Sequence, residues 1–404
     1  MEKILLISDH FYPEPFLGSE LPSYFKSQGY SVDVLTQNPA YPEGLIYKGH
    51  SNPWFQITRM NGIRVYRIKT ITGYRDSLVR KIANYLWFMV AASIFVLVTS
   101  TVYCYLFVYH VGTLTEAVPL LIGKKLFRKR TSIWTQDIWP DSVFAFGFKR
   151  NGISLQILKL FVSSIYSSID SVMVSSPGFV DKIKHNTRKK IKPVFIPQWA
   201  PKELFSEQPF LQEFDARMKN FVFTGNVGTQ QNLQRVIEAF GTLGNIGKSC
   251  ILHIFGDGRD LGELKEFCSR NEYFNVVFYG RIKQNQILDV IKRSDACVLS
   301  LNPDPVVELT LPAKFQTYIY SGKPILCVAG GESSALVKEY AIGEIAEPDS
   351  ITSIQRAIDD ISSYTDARLL MIENNQKQIR LLFQVEESKK AILAGIVGRM
   401  ICNP

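Results

Sequence analysis

Between Lys81 and Glu116 the chain carries no Asp, Glu, Lys or Arg, and residues 85–109 are almost wholly apolar. A bilayer span needs about 20 apolar residues in a helix, so length alone allows one here. The order of the chain argues against it. Residues 4–8 and 32–36 read as the first strands of a parallel sheet, and that sheet needs the strands that follow residue 105. A span would leave the two parts of one domain on opposite sides of a membrane. A helix over about 79–98 and a buried strand over 105–108 account for the same run without dividing anything. Arg75, Arg80 and Lys81 precede it, and Lys124, Lys125, Arg128, Lys129 and Arg130 follow. An apolar surface edged with cations suits a protein lying on an anionic membrane face. Plain burial is the alternative, and spanning is the least favoured reading.

Around this run, short β-rich stretches alternate with helical ones along nearly the whole chain, the pattern of α/β domains with parallel sheets. Strands are expected at 4–8, 32–36, 62–68, 105–108, 132–135, 171–174 and 193–197. A helix is expected from an N-cap at Ser19 to Gly29, and another over 153–168. Three prolines between 197 and 209 mark a linker. A second series follows, with strands at 220–224, 250–255, 275–278, 296–301 and 324–328, a helix at 232–243 and a last helix over 386–400. At 404 residues, two or three domains are expected. The boundaries drawn are 1–200, 201–385 and a terminal helix, 386–404. Two doubly wound domains facing each other would hold a ligand in a cleft at strand C-termini.

Charge separates the halves. Lys plus Arg is 46 against 37 for Asp plus Glu, a net +9, but residues 1–200 hold 24 basic and 12 acidic side chains while 201–404 hold 22 and 25. The front half therefore favours phosphate or anionic lipid. Nucleic acid fits the charge, but no recognised module appears. The six cysteines (Cys104, Cys250, Cys268, Cys297, Cys327 and Cys402) lie in apolar segments without metal-ligand spacing, and the five histidines form none either. Small buried thiols in a reduced, cytoplasmic protein are expected. The run 182–192, with six basic residues, reads as a solvated face.

Several motifs can carry chemistry. Gly225-Asn226-Val227-Gly228 follows a strand and precedes a helix, so it is a tight turn or a phosphate-facing loop. Gly256-Asp257-Gly258 has the same standing, with Asp257 placed to cap the turn or approach a ligand. In Leu311-Pro312-Ala313-Lys314, proline sets the helix start and Lys314 falls in the first turn. There the helix dipole disfavours a cation by a few tenths of a kcal/mol, which an anionic ligand would offset. Trp134-Thr-Gln-Asp137-Ile-Trp139-Pro-Asp141 pairs indoles with carboxylates, a combination that either binds sugar or packs and caps a loop. The loop from His10 to Ser19 ends in Gly18 at a helix start, where N–H groups can hold a phosphate; a plain β–α loop is the alternative. His10 and His110 follow strands and are the two histidines placed to face a cleft.

In order, these pieces resemble glycosyltransferase family 4, the bacterial O-antigen L-fucosaminyltransferase type, with the GT-B fold of two Rossmann-like domains. The likeness rests on Tyr12-Pro-Glu-Pro-Phe16, Asn38-Pro-Ala-Tyr-Pro-Glu-Gly44, Gln136-Asp-Ile-Trp-Pro-Asp141, Ser176-Pro-Gly-Phe179, Pro197-Gln-Trp199, Gly225-Asn-Val-Gly228, Gly256-Asp-Gly258 and Leu311-Pro-Ala-Lys314. The resemblance implies retaining transfer of a sugar, N-acetyl-L-fucosamine from its UDP donor, to a polyprenyl-diphosphate-linked oligosaccharide at the cytoplasmic face of the inner membrane. It implies that Gly225, Asn226, Gly228 and Lys314 approach the diphosphate, and that the backbone of Arg281 and Ile282 holds the base. Asp257 lines the donor side, the Gly18 loop closes from the first domain, and Asp137 and Trp139 serve the acceptor and sugar side. Asp137 and Lys314 are the catalytic candidates. The terminal helix would cross back to the first domain. The nucleotide sugar is a co-substrate; neither metal nor further cofactor is expected.

One departure stands out. The family commonly carries Glu-x7-Glu, but Thr317 occupies the second position and Glu308 lies one position off the first, so Thr317, Gln316 or another group is left to meet the ribose. Two other classes share the architecture: a UDP-sugar 2-epimerase, which has no use for a membrane face, and a non-catalytic membrane-bound relative.

Overall fold

The computed structural model describes residues 1–141, 152–187, 190–206 and 208–399. The chain divides into two compact units, residues 1–197 with 386–404, and residues 198–385.

The first unit is built on strands β1 (Lys3–Ile7), β2 (Ser31–Gln37), β3 (Phe55–Met60), β4 (Ile63–Ile68), β5 (Tyr105–His110), β6 (Arg130–Thr135), β7 (Ser171–Val174) and β8 (Val194–Phe195). They form one sheet in the order β3-β4-β2-β1-β5-β6-β7-β8, parallel except for β3, which runs antiparallel to β4. Its helices are α1 (Leu21–Ser27), α2 (Leu78–Thr99), α3 (Val118–Phe127), α4 (Ile153–Ser168) and α5 (Pro177–Asn186). The β1–β2 crossover runs one way along the sheet, and those from β4 to β8 run the other. Right-handed connections therefore put α1 on one face and α2–α5 on the opposite face. Helices on both sides explain why Ile4, Leu5, Leu6 and Ile7 are all fully buried rather than alternating.

The second unit holds β9 (Lys219–Thr224), β10 (Cys250–Phe255), β11 (Val276–Gly280), β12 (Ala296–Ser300), β13 (Ile325–Val328) and β14 (Gly343–Ala346), all parallel, in the order β11-β10-β9-β12-β13-β14. Around them lie α6 (Leu233–Asn245), α7 (Leu261–Arg270), α8 (Ile287–Lys292), α9 (Ala313–Ile319), α10 (Gly331–Glu339), α11 (Ile351–Ser362) and α12 (Asp366–Ile379). The last helix, α13 (Val385–Val397), packs on the first unit. There the buried Lys389 ammonium meets Glu20 at 2.7 Å, and the Ile396 carbonyl accepts Arg130 Nε at 3.1 Å. Both units are doubly wound α/β sheets, the fold class read from the sequence.

Three expectations need correction. Strands β3 and β14 were not anticipated. β3 is an edge strand whose side chains alternate between partly buried and exposed, joined to β4 by Asn61-Gly62 with both φ angles positive. Ser19 is not a helix N-cap: it sits in a 3-10 turn, Leu17–Glu20, and its hydroxyl accepts the Tyr12 N–H while α1 starts at Leu21. Helix α6 begins at Leu233, beside the expected start at 232, and a 3-10 turn, Thr229–Gln231, with Asn232 at φ +47° separates it from Gly228. Of the cysteines, Cys104 is exposed and Cys250, Cys268, Cys297 and Cys327 are buried, whereas Cys402 lies outside the described residues. Met400 and residues 188–189 of the basic run also lie outside them.

Candidate functional site

In the second unit the strand order reverses beside β9, and open α/β sheets bind ligands at such a switch point, outside the strand C-termini. Two glycine loops meet there. A Cβ on Gly256 would lie 1.8 Å from the Gly225 carbonyl oxygen, and one on Gly258 would lie 2.2 Å from that of Val227. Only glycine allows so close an approach. The contact is fixed by hydrogen bonds: the N–H groups of Gly225 and Val227 donate to the carbonyls of Phe255 and Asp257 at 2.9 and 3.0 Å. Gly225 therefore has no free N–H for a phosphate, and its contribution is backbone shape at φ +130°. Among the described residues, the N–H groups of Asn226 and Gly228 have no hydrogen-bond acceptor.

The joined loops wall a cavity of about 230 Å³. Thr224, Gly225 and Asn226 line one side, Phe255, Gly256 and Asp257 another, and Arg281, Ile282 and Ile287 the third. Complete small-molecule pockets run to about 300–1,000 Å³, so this one has room for only part of such a ligand. The Asp257 carboxylate accepts the Gly258 N–H at 2.8 Å, so it caps its turn and also lines the cavity.

Lys314 stands at the edge of this arrangement. Its Nζ lies 3.9 Å over the Phe223 ring, hydrogen-bonds Gln231 Oε1, and is 3.6 Å from where a Gly225 Cβ would be. Tyr318, one turn further along α9, locks the helix in place by accepting the Thr224 N–H at 3.0 Å and donating to the Val298 carbonyl at 3.2 Å. Among the described residues Gln231 is the hydrogen-bond partner of Lys314, and no carboxylate charge acts on it. Burial pulls its pKa down to about 7. Phe223, Gln231 and Tyr318 carry no sequence signature; they become visible only once α9 is laid across the end of β9.

The ribose candidates fare differently. Gln316 is 1% exposed, and in the orientation that satisfies its neighbours its amide donates to the carbonyls of Pro312 and Ala313 at 3.0 and 2.8 Å. That side chain is spent inside its own helix and is withdrawn as a ligand contact. Thr317 is largely buried and shares the side of α9 that carries Lys314. Glu308, one position out of the family pattern, packs against Gly330; a Cβ there would lie 2.3 Å from Glu308 Oε1.

The first-unit candidates lie at the C-terminal edge of their own sheet. Gly18 rests on the Tyr109 ring, where a Cβ would be 2.2 Å from Cδ1, so packing alone demands glycine. Asp137 accepts the N–H of Ile138 at 2.8 Å, and Asp141 pairs with Lys182 at 3.0 Å. Trp139 is only 9% exposed and Trp134 is fully buried, its indole donating to the Ile196 carbonyl at 3.0 Å. These indoles pack; neither offers an open face for a sugar. His110 is buried and held neutral, its pKa pulled down to about 3 by desolvation. His10 is the more available histidine. It stacks on Phe16 at 5.0 Å, with Asp9 and Glu14 at 3.7 and 3.1 Å from its two nitrogens. Burial opposes its charge, but these carboxylates outweigh burial and raise its pKa. Glu14 also accepts the N–H groups of Ala40 and Tyr41 at 2.8 and 2.7 Å, which explains the Tyr-Pro-Glu-Pro motif as a tie between two loops.

Residues 205–378 match the family model of glycosyl transferases group 1. The matched stretch is similar to glycosyl transferases group 1, and the fold is one that solved glycosyltransferases share. Over 234 residues the chain is 26% identical to the probable glycosyltransferase WbjE of Pseudomonas aeruginosa, covering 56% of this chain and 58% of that protein. Over 375 residues it is 22% identical to the putative colanic acid biosynthesis glycosyl transferase WcaI of Escherichia coli K12, covering 88% of this chain and 91% of that one. In fold it is similar to sucrose-phosphate synthase from Thermosynechococcus elongatus (TM-score 0.71, 15% identity, 99% and 98% of the chains). It is also similar to HepE of Anabaena solved in complex with UDP (TM-score 0.68, 13% identity, 98% and 100%).

The charge state of Lys314 gives a test independent of turnover. In the free protein this amine loses its proton above about pH 7, whereas an anion beside it favours the protonated form. If the anion is a nucleoside diphosphate such as UDP, its binding should come with proton uptake. Its Kd should rise by up to about tenfold per unit from pH 7 to 9, since affinity follows the protonated fraction. Lys314→Arg, charged throughout, should flatten the profile. Calorimetry in buffers of different ionisation enthalpy reads both quantities, and a pH-independent wild-type Kd would remove Lys314 from the anion site.

Proposed function

We propose that the chain is a retaining transferase. It moves a sugar, N-acetyl-L-fucosamine, from UDP to a polyprenyl-diphosphate-linked oligosaccharide in the synthesis of an O-antigen or similar surface polysaccharide. The observation that carries this reading is Lys314, a lysine with no carboxylate partner among the described residues, placed beside a glycine-walled cavity at the end of β9. The names of WbjE and WcaI, and the UDP held by HepE, support the same direction. In the reaction, the bond from the anomeric carbon to the β-phosphate oxygen breaks while the acceptor hydroxyl bonds that carbon on the same face. The hydroxyl proton passes to a phosphate oxygen of the leaving UDP. Lys314 offsets the charge that develops on that phosphate, and the N–H groups of Asn226 and Gly228 add hydrogen bonds. The rest of the rate comes from holding both substrates in line. No protein nucleophile or further cofactor enters this sequence.

The test is mass spectrometry after incubating the full chain with a panel of UDP- and GDP-sugars and a short lipid-diphosphate sugar acceptor. A gain of one N-acetyl deoxyaminohexose residue on the lipid, from the UDP donor only, is expected. Conversion of the sugar nucleotide to an isomer without lipid gain would replace the proposal with an epimerase. UDP binding without either event, across the whole panel, would overturn it in favour of a non-catalytic relative.

A further inference from the structure

Helix α2 is long and apolar enough to cross a membrane, yet only 22% of its most apolar window is buried. Its inner side is fixed to the first unit: Asn84, Phe88, Ala92 and Val96 are buried, and Asn84 exchanges amide hydrogen bonds with Gln37 at 2.9 and 3.0 Å. Its outer side repeats at the same helical spacing with Ile82, Leu86, Val90, Ile94 and Val98, each 40–75% exposed. Among the described residues nothing covers this stripe. A monomer in water rarely leaves so continuous an apolar surface open.

The sheet rules out a span. Ile4 of β1 pairs with Val32 of β2, which precedes α2, and with Tyr105 of β5, which follows it. Both ends of α2 are thus tied to one strand and must lie on one side of any bilayer. The first turn carries Arg80 and Lys81, but Arg80 shares the side of the buried Asn84 and the Lys81 charge acts on His10, so neither belongs to the outer stripe. At the other end, Gly123 of α3 lies against Ser100, which brings Lys125, Arg128 and Lys129 beside the end of α2. The edge is continued by Trp54, 67% exposed, whose ring meets Trp87 of α2 at 5.6 Å. Indoles favour the level of lipid headgroups.

The geometry points to an in-plane membrane anchor: α2, about 33 Å long, lies flat in the headgroup region of an anionic bilayer, outer stripe down, with the cations beside its C-terminal end on lipid phosphates. This anchor stands whichever sugar is moved.

The experiment is flotation of the full chain with vesicles of phosphatidylcholine alone or with about one third phosphatidylglycerol, with no donor or acceptor present. Wild type should float with the anionic vesicles and only weakly with the neutral ones. The exposed-face variant Val90→Glu/Ile94→Glu/Val98→Glu should stay at the bottom with an unchanged melting temperature. Lys125→Glu/Lys129→Glu should weaken binding to anionic vesicles at least about fivefold per cation removed, the effect of one basic residue near such a surface. Wild type that never floats overturns the anchor. So does a concentration-dependent dimer that the exposed-face variant dissolves, because a second copy then covers the stripe. Protease protection of residues preceding α2 inside sealed vesicles would show a span and overturn it as well. Because flotation needs no sugar, its failure leaves the transfer assay untouched, and failed transfer leaves flotation untouched.

Discussion

Lys314→Ala should lower kcat/KM by roughly 10²–10³, the range seen when one preorganised charge-stabilising donor is lost, or about 2.7–4 kcal/mol of barrier. Most of the loss should fall in kcat, because charge on the leaving phosphate grows toward the transition state. Folding should not suffer. Lys314 binds its proton less tightly in the folded chain than unfolded, with a pKa of about 7 against an ordinary 10.5. Between those values the unfolded state holds more protons, so this group's contribution to stability rises with pH from 7 toward 10.5, and at pH 7 and below it opposes folding. Removing the amine should therefore leave the melting temperature at pH 7 unchanged or raised, and should flatten its rise over pH 7–9. Steady-state kinetics with a matched thermal melt separates the cases. Wild-type-like turnover would take Lys314 out of the site, and a large fall in melting temperature would make its role structural.

Gly256→Ala should be the most damaging small change in the second unit. Its new methyl carbon would sit 1.8 Å from the Gly225 carbonyl oxygen, a backbone atom that cannot swing aside. Overpacking of this kind costs about 1–3 kcal/mol, and the loop positions it displaces are the ones that shape the cavity. UDP affinity should fall at least tenfold together with a lower melting temperature. Gly262→Ala is the internal control. It lies in α7 with open space around the added methyl, so it should stabilise by about 0.4–1 kcal/mol and leave UDP binding alone. Equal behaviour of the two variants in a denaturant titration would mean that the two loops are not held as described.

The contrast between these glycines shows where the sequence is informative. Gly256-Asp-Gly258 is legible as a turn off a strand, but its opposition to Gly225 depends on strand neighbours 31 residues apart in the chain, and no local pattern carries that. The parallel strands were legible because they are buried on both faces: β1, β12 and β13 each hold an unbroken run of four apolar residues. β3 was missed for the opposite reason. Its exposed alternation looks like surface, although Asn61-Gly62 was the available hairpin signal. Lys314 was readable from Pro312 and the first-turn argument, whereas Gln316 was misjudged because a glutamine can satisfy itself on the carbonyls of its own helix. Trp139 looked like a sugar platform by residue type; burial, which type alone does not reveal, makes it part of the packing.

The central claim is that the cavity at the end of β9 holds the nucleotide and Lys314 holds its diphosphate. A crystal structure of the full chain with UDP tests it most directly. The account predicts uracil against Arg281 and Ile282, and a diphosphate oxygen about 2.7–2.9 Å from Lys314 Nζ, the length of a charge-assisted hydrogen bond. UDP seated elsewhere, or in this cavity with its phosphates turned away from Lys314, would contradict it.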